Sequence, residues 1–87
     1  MSVITIDRLS DTRFEVTVHS QSTTTHLVNV QPDYAEKLTC GKISTEDLVQ
    51  RSFEFLLARE SNTSILRSFD LGVIGRYFPE YEQHIGR

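Results

Sequence analysis

Lys42–Glu60, KISTEDLVQRSFEFLLARE, carries the strongest structural signal in the chain. Its helix start is fully written in the residues. The Ser44 hydroxyl can accept from the free N–H groups of a first turn, and Asp47 stands three residues on, at the second position of a capping box. Ile43 and Leu48 flank that start as a hydrophobic staple. Glu46 and Asp47 lie where the helix dipole favours acids. The spacing predicts a helix over about 45–60, with Leu48, Val49, Phe53, Phe55, Leu56 and Leu57 spread over roughly 200° of its circumference at about 100° per residue. A surface helix needs an apolar stripe only somewhat wider than ~100°. This helix is therefore expected to pack on two sides at once, and in a chain of 87 residues the second side can belong to another subunit.

Upstream, the pattern changes period. Ile4, Ile6, Phe14, Val16, Val18, Val28 and Val30 all occupy even positions, with mostly polar neighbours, the alternation of half-buried antiparallel strands. Strands are expected at about 2–8, 12–20 and 24–31, with turns at Asp7 to Asp11 and Gln21 to Thr23. Pairing Val18 with His26, Val16 with Val28 and Phe14 with Val30 keeps the apolar set on one face. Between the last strand and the main helix, Pro32 and Asp33 suit a helix start and Gly41 a helix end, which predicts a short helix over about 32–40. Downstream, Asn62 and Asp70 are read as caps of two further helices, about 63–69 and 71–78. Pro79 either ends the second of these or opens a last turn. The whole is an α+β domain, one unit over 1–87: a three-stranded antiparallel sheet with helices on one face.

Composition supports a folded chain, with Leu, Ile, Val and Phe at about 30% of residues. Nine Lys and Arg against twelve Asp and Glu give a net charge of -3. No basic cluster stands out, so nucleic acid is not an expected partner. Cys40 is the only cysteine, which rules out an intrachain disulfide. One Cys with His19, His26 and His84 scattered along the chain does not make a zinc site, and no metal or cofactor is expected. The sequence lacks both a basic segment followed by an apolar run and an apolar run of ~18 residues, so a cytoplasmic location away from the membrane is expected.

Individual residues are read against catalysis. His26 falls on the core face of its strand and His19 on the outer face, so the two do not form a pair. Ser, His and Asp occur without a sharp Gly-flanked serine turn. Asp11, Asp33 and Asp70 are explained as turn and cap residues, and Cys40 as a small core or half-buried side chain. An enzyme is not expected. The aromatic cluster RYFPEYE, with Tyr77, Phe78 and Tyr81, is the candidate recognition surface together with Phe55 of the main helix. Its alternative role is a lid folded back over the core.

Two resemblances bear on these residues. FEFLLARESNTSILRSFDLGVIGRYFPEYE, residues 53–82, resembles the ending of a group of short bacterial proteins of unknown function, in which a Phe- and Leu-rich helix leads into an ILRxFDL segment and an RYFPEYE ending. That likeness implies a bacterial cytoplasmic protein and carries no activity with it. HLVNVQPDYAEKLTCGKISTEDLVQRSFEFLLARE, within residues 25–60, resembles the ribbon-helix-helix domain of small bacterial repressors and antitoxins. There the strands of two subunits pair and enter the DNA major groove. The resemblance implies Thr25, Leu27 and Asn29 as outward strand residues. The uncharged strand and the acidic chain rank it second. The first expectation is a non-enzymatic protein-interaction module, capable of homodimerising through the wide face of the main helix or the 65–81 segment.

The Ser44 cap is directly testable. Ser44→Ala is expected to cost about 1 kcal/mol of stability by leaving first-turn N–H groups uncapped. The shift of the urea midpoint at constant slope measures it.

Overall fold

A computed structural model describes residues 3–85. Strands β1 (Val3–Arg8), β2 (Arg13–His19) and β3 (Thr23–Asn29) form the antiparallel meander that the even-position alternation demands. Their even residues point into the core: Phe14, Val16, Val18, His26, Val28 and Val30 are buried, and Ile4 and Ile6 are half-buried on the edge strand. Odd residues such as Thr5, Asp7 and Thr25 face solvent on the opposite side.

The register of β2 on β3 differs from the expected one by two residues. Phe14 pairs with Val28, Val16 with His26 and Val18 with Thr24. A shift of two preserves the face of every side chain, which is why hydrophobic alternation alone does not choose between the two registers. The turn decides it. Ser20, Gln21 and Ser22 form the loop, with the Ser20 N–H donating to the Ser22 carbonyl at 3.2 Å, and the Val30 N–H closes the far end of the ladder on the Thr12 carbonyl at 2.7 Å.

Helix α1 (Pro32–Thr39) opens on Pro32, as expected. Its end comes one residue before Gly41: Cys40 adopts the left-handed conformation (φ 52°) and donates its N–H to the Glu36 carbonyl. Gly41 continues the left-handed turn at φ 71°. Cys40 is thereby placed on the surface, a correction to its reading as a core or half-buried residue. Helix α2 (Thr45–Leu57) starts as the sequence specifies, with the Asp47 N–H donating to the Ser44 hydroxyl at 3.1 Å. It stops three residues before the expected Glu60. The Arg59 guanidinium lies 3.6 Å above the Phe55 ring and donates to the Phe55 carbonyl at 3.1 Å, which satisfies a carbonyl of the last turn.

Past α2 the expectation of a helix over 63–69 is overturned. Asn62–Ser64 is a single 3₁₀ turn, and Ser68–Asp70 is a fourth strand, β4, running parallel to β3. The sheet is mixed, with order β1-β2-β3-β4. The cause is β3's second edge. The Leu27 N–H donates to the Arg67 carbonyl at 2.7 Å and the Leu71 N–H to the Asn29 carbonyl at 2.8 Å. Asp70 is therefore a strand residue rather than a helix cap. The next helix, α3 (Val73–Tyr77), begins at Gly72 without a side-chain cap, and it is shorter than the expected 71–78. Asn62 is not a cap either. Its buried amide donates to the Ser22 carbonyl and the Thr24 hydroxyl, both at 2.9 Å, which ties the 3₁₀ turn to the β2–β3 hairpin. After Pro79 the last turn forms as α4 (Tyr81–Ile85).

All the helices named lie over the even-residue face of the sheet or against one another, and every apolar residue of the wide α2 arc is covered within the chain. Leu48, Val49, Phe53, Phe55 and Leu56 are buried and Leu57 is half-buried against the same core. The sheet takes one side of the arc and α1 and α4 take the other. The arc thus needs no second subunit. Phe53 sits at its centre, with the His26 ring 5.4 Å and the Phe69 ring 6.1 Å away. Phe53→Ala is expected to cost roughly 3–5 kcal/mol, a large part of the ~5–15 kcal/mol that holds a small domain. Denaturant unfolding at equilibrium checks the figure.

Candidate functional site

The residues on either side of β4 build one apolar cleft. The end of α2 supplies Leu56 and Glu60, the chain before β4 supplies Ser64, Ile65 and Leu66, and Phe69 rises from β4 itself. Val73, Ile74 and Tyr77 of α3, with Phe78, close the other wall. The volume is about 380 Å³, and Glu60, Ser64 and the Tyr77 hydroxyl supply the polar groups of the lining. Leu56, Ile65 and Ile74 form its buried floor. Leu66 and Tyr77 stand at its mouth, 49% and 68% exposed.

Each wall is held by a group deeper in the fold. Opposite Leu66 lies His26, buried on β3. Its Nδ1 is 2.8 Å from the Leu66 carbonyl and its Nε2 is 2.9 Å from the Thr24 hydroxyl. A carbonyl can only accept, so Nδ1 carries a proton, and in the neutral tautomer this defines, Nε2 accepts from Thr24. The Thr24 oxygen accepts in turn from the Asn62 amide. This directed chain of bonds fixes the backbone at Leu66, so that its side chain projects outward while Ile65 turns in.

The aromatic wall is fixed by α4. Tyr81 is fully buried, and its hydroxyl lies 2.6 Å from that of Ser52, which itself donates to the Leu48 carbonyl at 2.7 Å. Phe55 packs edge-on against Phe78 at 5.8 Å and against Tyr81 at 5.3 Å. Of the four residues expected on a recognition surface, Phe55 and Tyr81 are inside the core, and that part of the expectation is corrected. They act as the lid's anchor. Tyr77 and Phe78 remain accessible, Phe78 only half so. The RYFPEYE cluster splits because α3 ends at Tyr77 and α4 begins at Tyr81, which turns its aromatic rings to different sides. The helix expected over 63–69 puts Leu66 and Phe69 on one covered face; the strand β4 instead turns Phe69 toward the core and leaves Leu66 exposed, a division that the 65–81 segment as a whole does not reveal.

The other residues weighed for chemistry do not converge. His19 is exposed on the outer face and His26 is engaged as above. Among the described residues, no three His, Cys, Asp or Glu side chains come together. Thr25, Leu27 and Asn29 do face outward, as the ribbon-helix-helix resemblance implies. Their strand, however, is paired on both edges within its own chain, so it offers no free edge to a partner's strand. No described helix is long and apolar enough to cross a membrane. Comparison with known proteins finds no matching family model, no matching curated protein and no matching solved structure.

Two tyrosines carry a measurable signature of this packing. Burial pushes the Tyr81 hydroxyl up to about 12, with the nearby Glu82 charge adding to the effect and the Ser52 hydroxyl offsetting part of it. Burial also raises Tyr34, whose hydroxyl donates to the Glu82 carboxylate at 2.8 Å between α1 and α4. A raised folded-state pKa leaves stability fully present below the unfolded value, near 10. Above it the unfolded chain loses a proton that the folded one retains on Tyr81, so stability falls between about pH 10 and 12 by up to ~1.4 kcal/mol per pH unit from that tyrosine. Urea midpoints measured across that window should show the slope, and Tyr81→Phe should reduce it by one proton's share.

Proposed function

We propose that the protein is a non-enzymatic interaction module that receives an apolar segment of a protein partner in the cleft between α2, β4 and α3. The observation that carries this reading is the lining. Leu66 and Tyr77 present large apolar surface at the mouth of a cleft whose floor is Leu56, Ile65 and Ile74. Exposed apolar side chains scattered singly are ordinary, but several gathered around a concave site mark a place of recognition. Tyr is favoured at such contacts because its ring is rigid and amphipathic.

The polar groups support binding rather than turnover. Catalysis by acid, base or nucleophile requires a reactive group within reach of a second group that activates it. In the cleft the polar groups are the Glu60 carboxylate and the Ser64 and Tyr77 hydroxyls, with no histidine or cysteine in the lining. The hydroxyl of Ser64 lies 3.4 Å from that of Ser61, a weak local contact that activates neither oxygen. A segment carrying a few apolar anchors on one face is the ligand that this lining suits best.

The test is peptide display against the full chain. Selected peptides should carry clustered apolar anchors. Leu66→Asp is expected to weaken their binding at least about tenfold, because it places an unpaired carboxylate in the contact. Leu66 is half-exposed, so the melting temperature should hardly change. Selected peptides that bind wild type and Leu66→Asp equally would place the contact elsewhere.

A further inference from the structure

The other two strongly exposed large apolar side chains, Val3 and Leu9, lie far along the sequence from the cleft, one at each end of β1 (58% and 54% exposed). β1 is an edge of the sheet. The direction of its backbone groups follows from the ladder. The Leu9 N–H donates to the Arg13 carbonyl at 2.9 Å, and the register pairs Asp7 with Glu15, Thr5 with Thr17 and Val3 with His19. Hydrogen-bonded pairs alternate along an antiparallel ladder, so the odd residues turn their N–H and C=O groups to β2. Ile4, Ile6 and Arg8 turn theirs outward, and among the described residues no backbone group receives them. Folded proteins protect such edges with shortness, proline, a bulge or charged side chains, and β1 carries charges only at its last two positions, Asp7 and Arg8. The opposite edge, β4, is three residues long. β1 has six residues in unbroken register, with neither proline nor bulge.

We propose that β1 is the interface of a homodimer, in which it pairs antiparallel with β1 of a second copy about a two-fold axis at Ile6. The strand is complementary to itself in this register. Ile6 faces the partner's Ile6, Ile4 faces the partner's Arg8, and these are the residues with outward backbone groups, giving about six new ladder hydrogen bonds. On the outer face, Thr5 stands opposite the partner's Asp7, whose carboxylate can accept from the Thr5 hydroxyl. Val3 stands opposite the partner's Leu9, so the two exposed apolar ends cover each other. No charge meets its like. Moving the axis to Asp7 would oppose two carboxylates, and moving it to Thr5 would set each Asp7 carboxylate against the apolar Val3 of the second copy. Even residues stay on the core side throughout, so Ile4 and Ile6, half-buried in one chain, become interior residues of a continuous sheet. A foreign strand could use the same edge, but the reciprocal matching of Val3 with Leu9 and Thr5 with Asp7 is a property of this strand toward itself.

The experiment is sedimentation equilibrium of the full chain over a wide concentration range, comparing wild type, Thr5→Glu and Thr5→Lys. Thr5 is exposed on the outer face, so neither change touches the core. Wild type should be a concentration-dependent dimer. Thr5→Glu sets a carboxylate opposite Asp7 at both symmetric positions and should raise the dissociation constant about tenfold. Thr5→Lys sets a cation there and should bind at least as tightly as wild type. Monomers at every concentration would overturn the proposal, and so would a dimer indifferent to the sign of the charge at Thr5. Leu66→Asp should leave the dimer intact, which separates this interface from the cleft.

Discussion

The second edge of β3 is the constraint on which the C-terminal half depends. Once β3 pairs with β2 through its even residues, the N–H of Leu27 and the carbonyl of Asn29 point the other way. Buried or half-buried backbone groups must find partners. The chain returns after α2 and provides them, with Arg67 and Leu71 on either side of β4. That return places Phe69 beside Val28 on the core face, where it meets Phe53. It also brings Leu66 within reach of His26 and starts α3 where its apolar residues face the end of α2. The cleft is thus a product of the β3–β4 pairing. Without it, Leu66 and Tyr77 would have no common wall.

Polar groups inside the core are arranged so that none stands alone. Among the described residues, every buried side-chain nitrogen and oxygen has a partner. The chain from Asn62 through Thr24 and His26 to the Leu66 carbonyl joins the β2–β3 hairpin to the segment before β4. Ser52 and Tyr81 join α2 to α4. Each of these bonds contributes little net stability compared with apolar burial, on the order of 1 kcal/mol. Their greater effect is selective: an alternative packing of the C-terminal segment would leave a buried amide, imidazole or phenol unpaired, at a cost of about 1–3 kcal/mol each. The lid and the 3₁₀ turn are therefore held in one arrangement by few atoms.

Two surfaces remain after this packing, and they differ in physical kind. The cleft is concave and side-chain lined, suited to apolar anchors. The β1 edge is backbone lined, suited to an extended strand. The wide arc of α2, which leaves open whether its second side meets another subunit or the same chain, is used up inside the molecule. The short helices α1 and α4 cover what the sheet leaves open, joined by the Tyr34–Glu82 bond and the looser Lys37–Glu82 contact at 3.9 Å. Small domains have too little interior to waste an apolar face, and brief elements at the chain's end are sufficient to close one.

Local patterns in the chain specify the elements whose signals repeat or close within a few residues. The even-position alternation from Ile4 to Val30 specifies three strands and their core face. Pro32 and Ser44 specify two helix starts, and the six apolar residues of α2 specify a helix covered on both sides. Those signals live within a few residues, where side-chain period and capping chemistry act. Tertiary structure alone decided the two-residue choice of register, the strand β4 and the division of the aromatic cluster. Ser68–Asp70 has a single apolar side chain and no β-branched residue, so nothing local marks it as a strand; it becomes one because β3 offers an open edge. Likewise Tyr77 and Tyr81 are equivalent by residue type. Their separation into surface and core follows from where α3 stops and from the Ser52 hydroxyl that Tyr81 meets on α2, a contact between residues far apart in the chain and invisible to any local pattern.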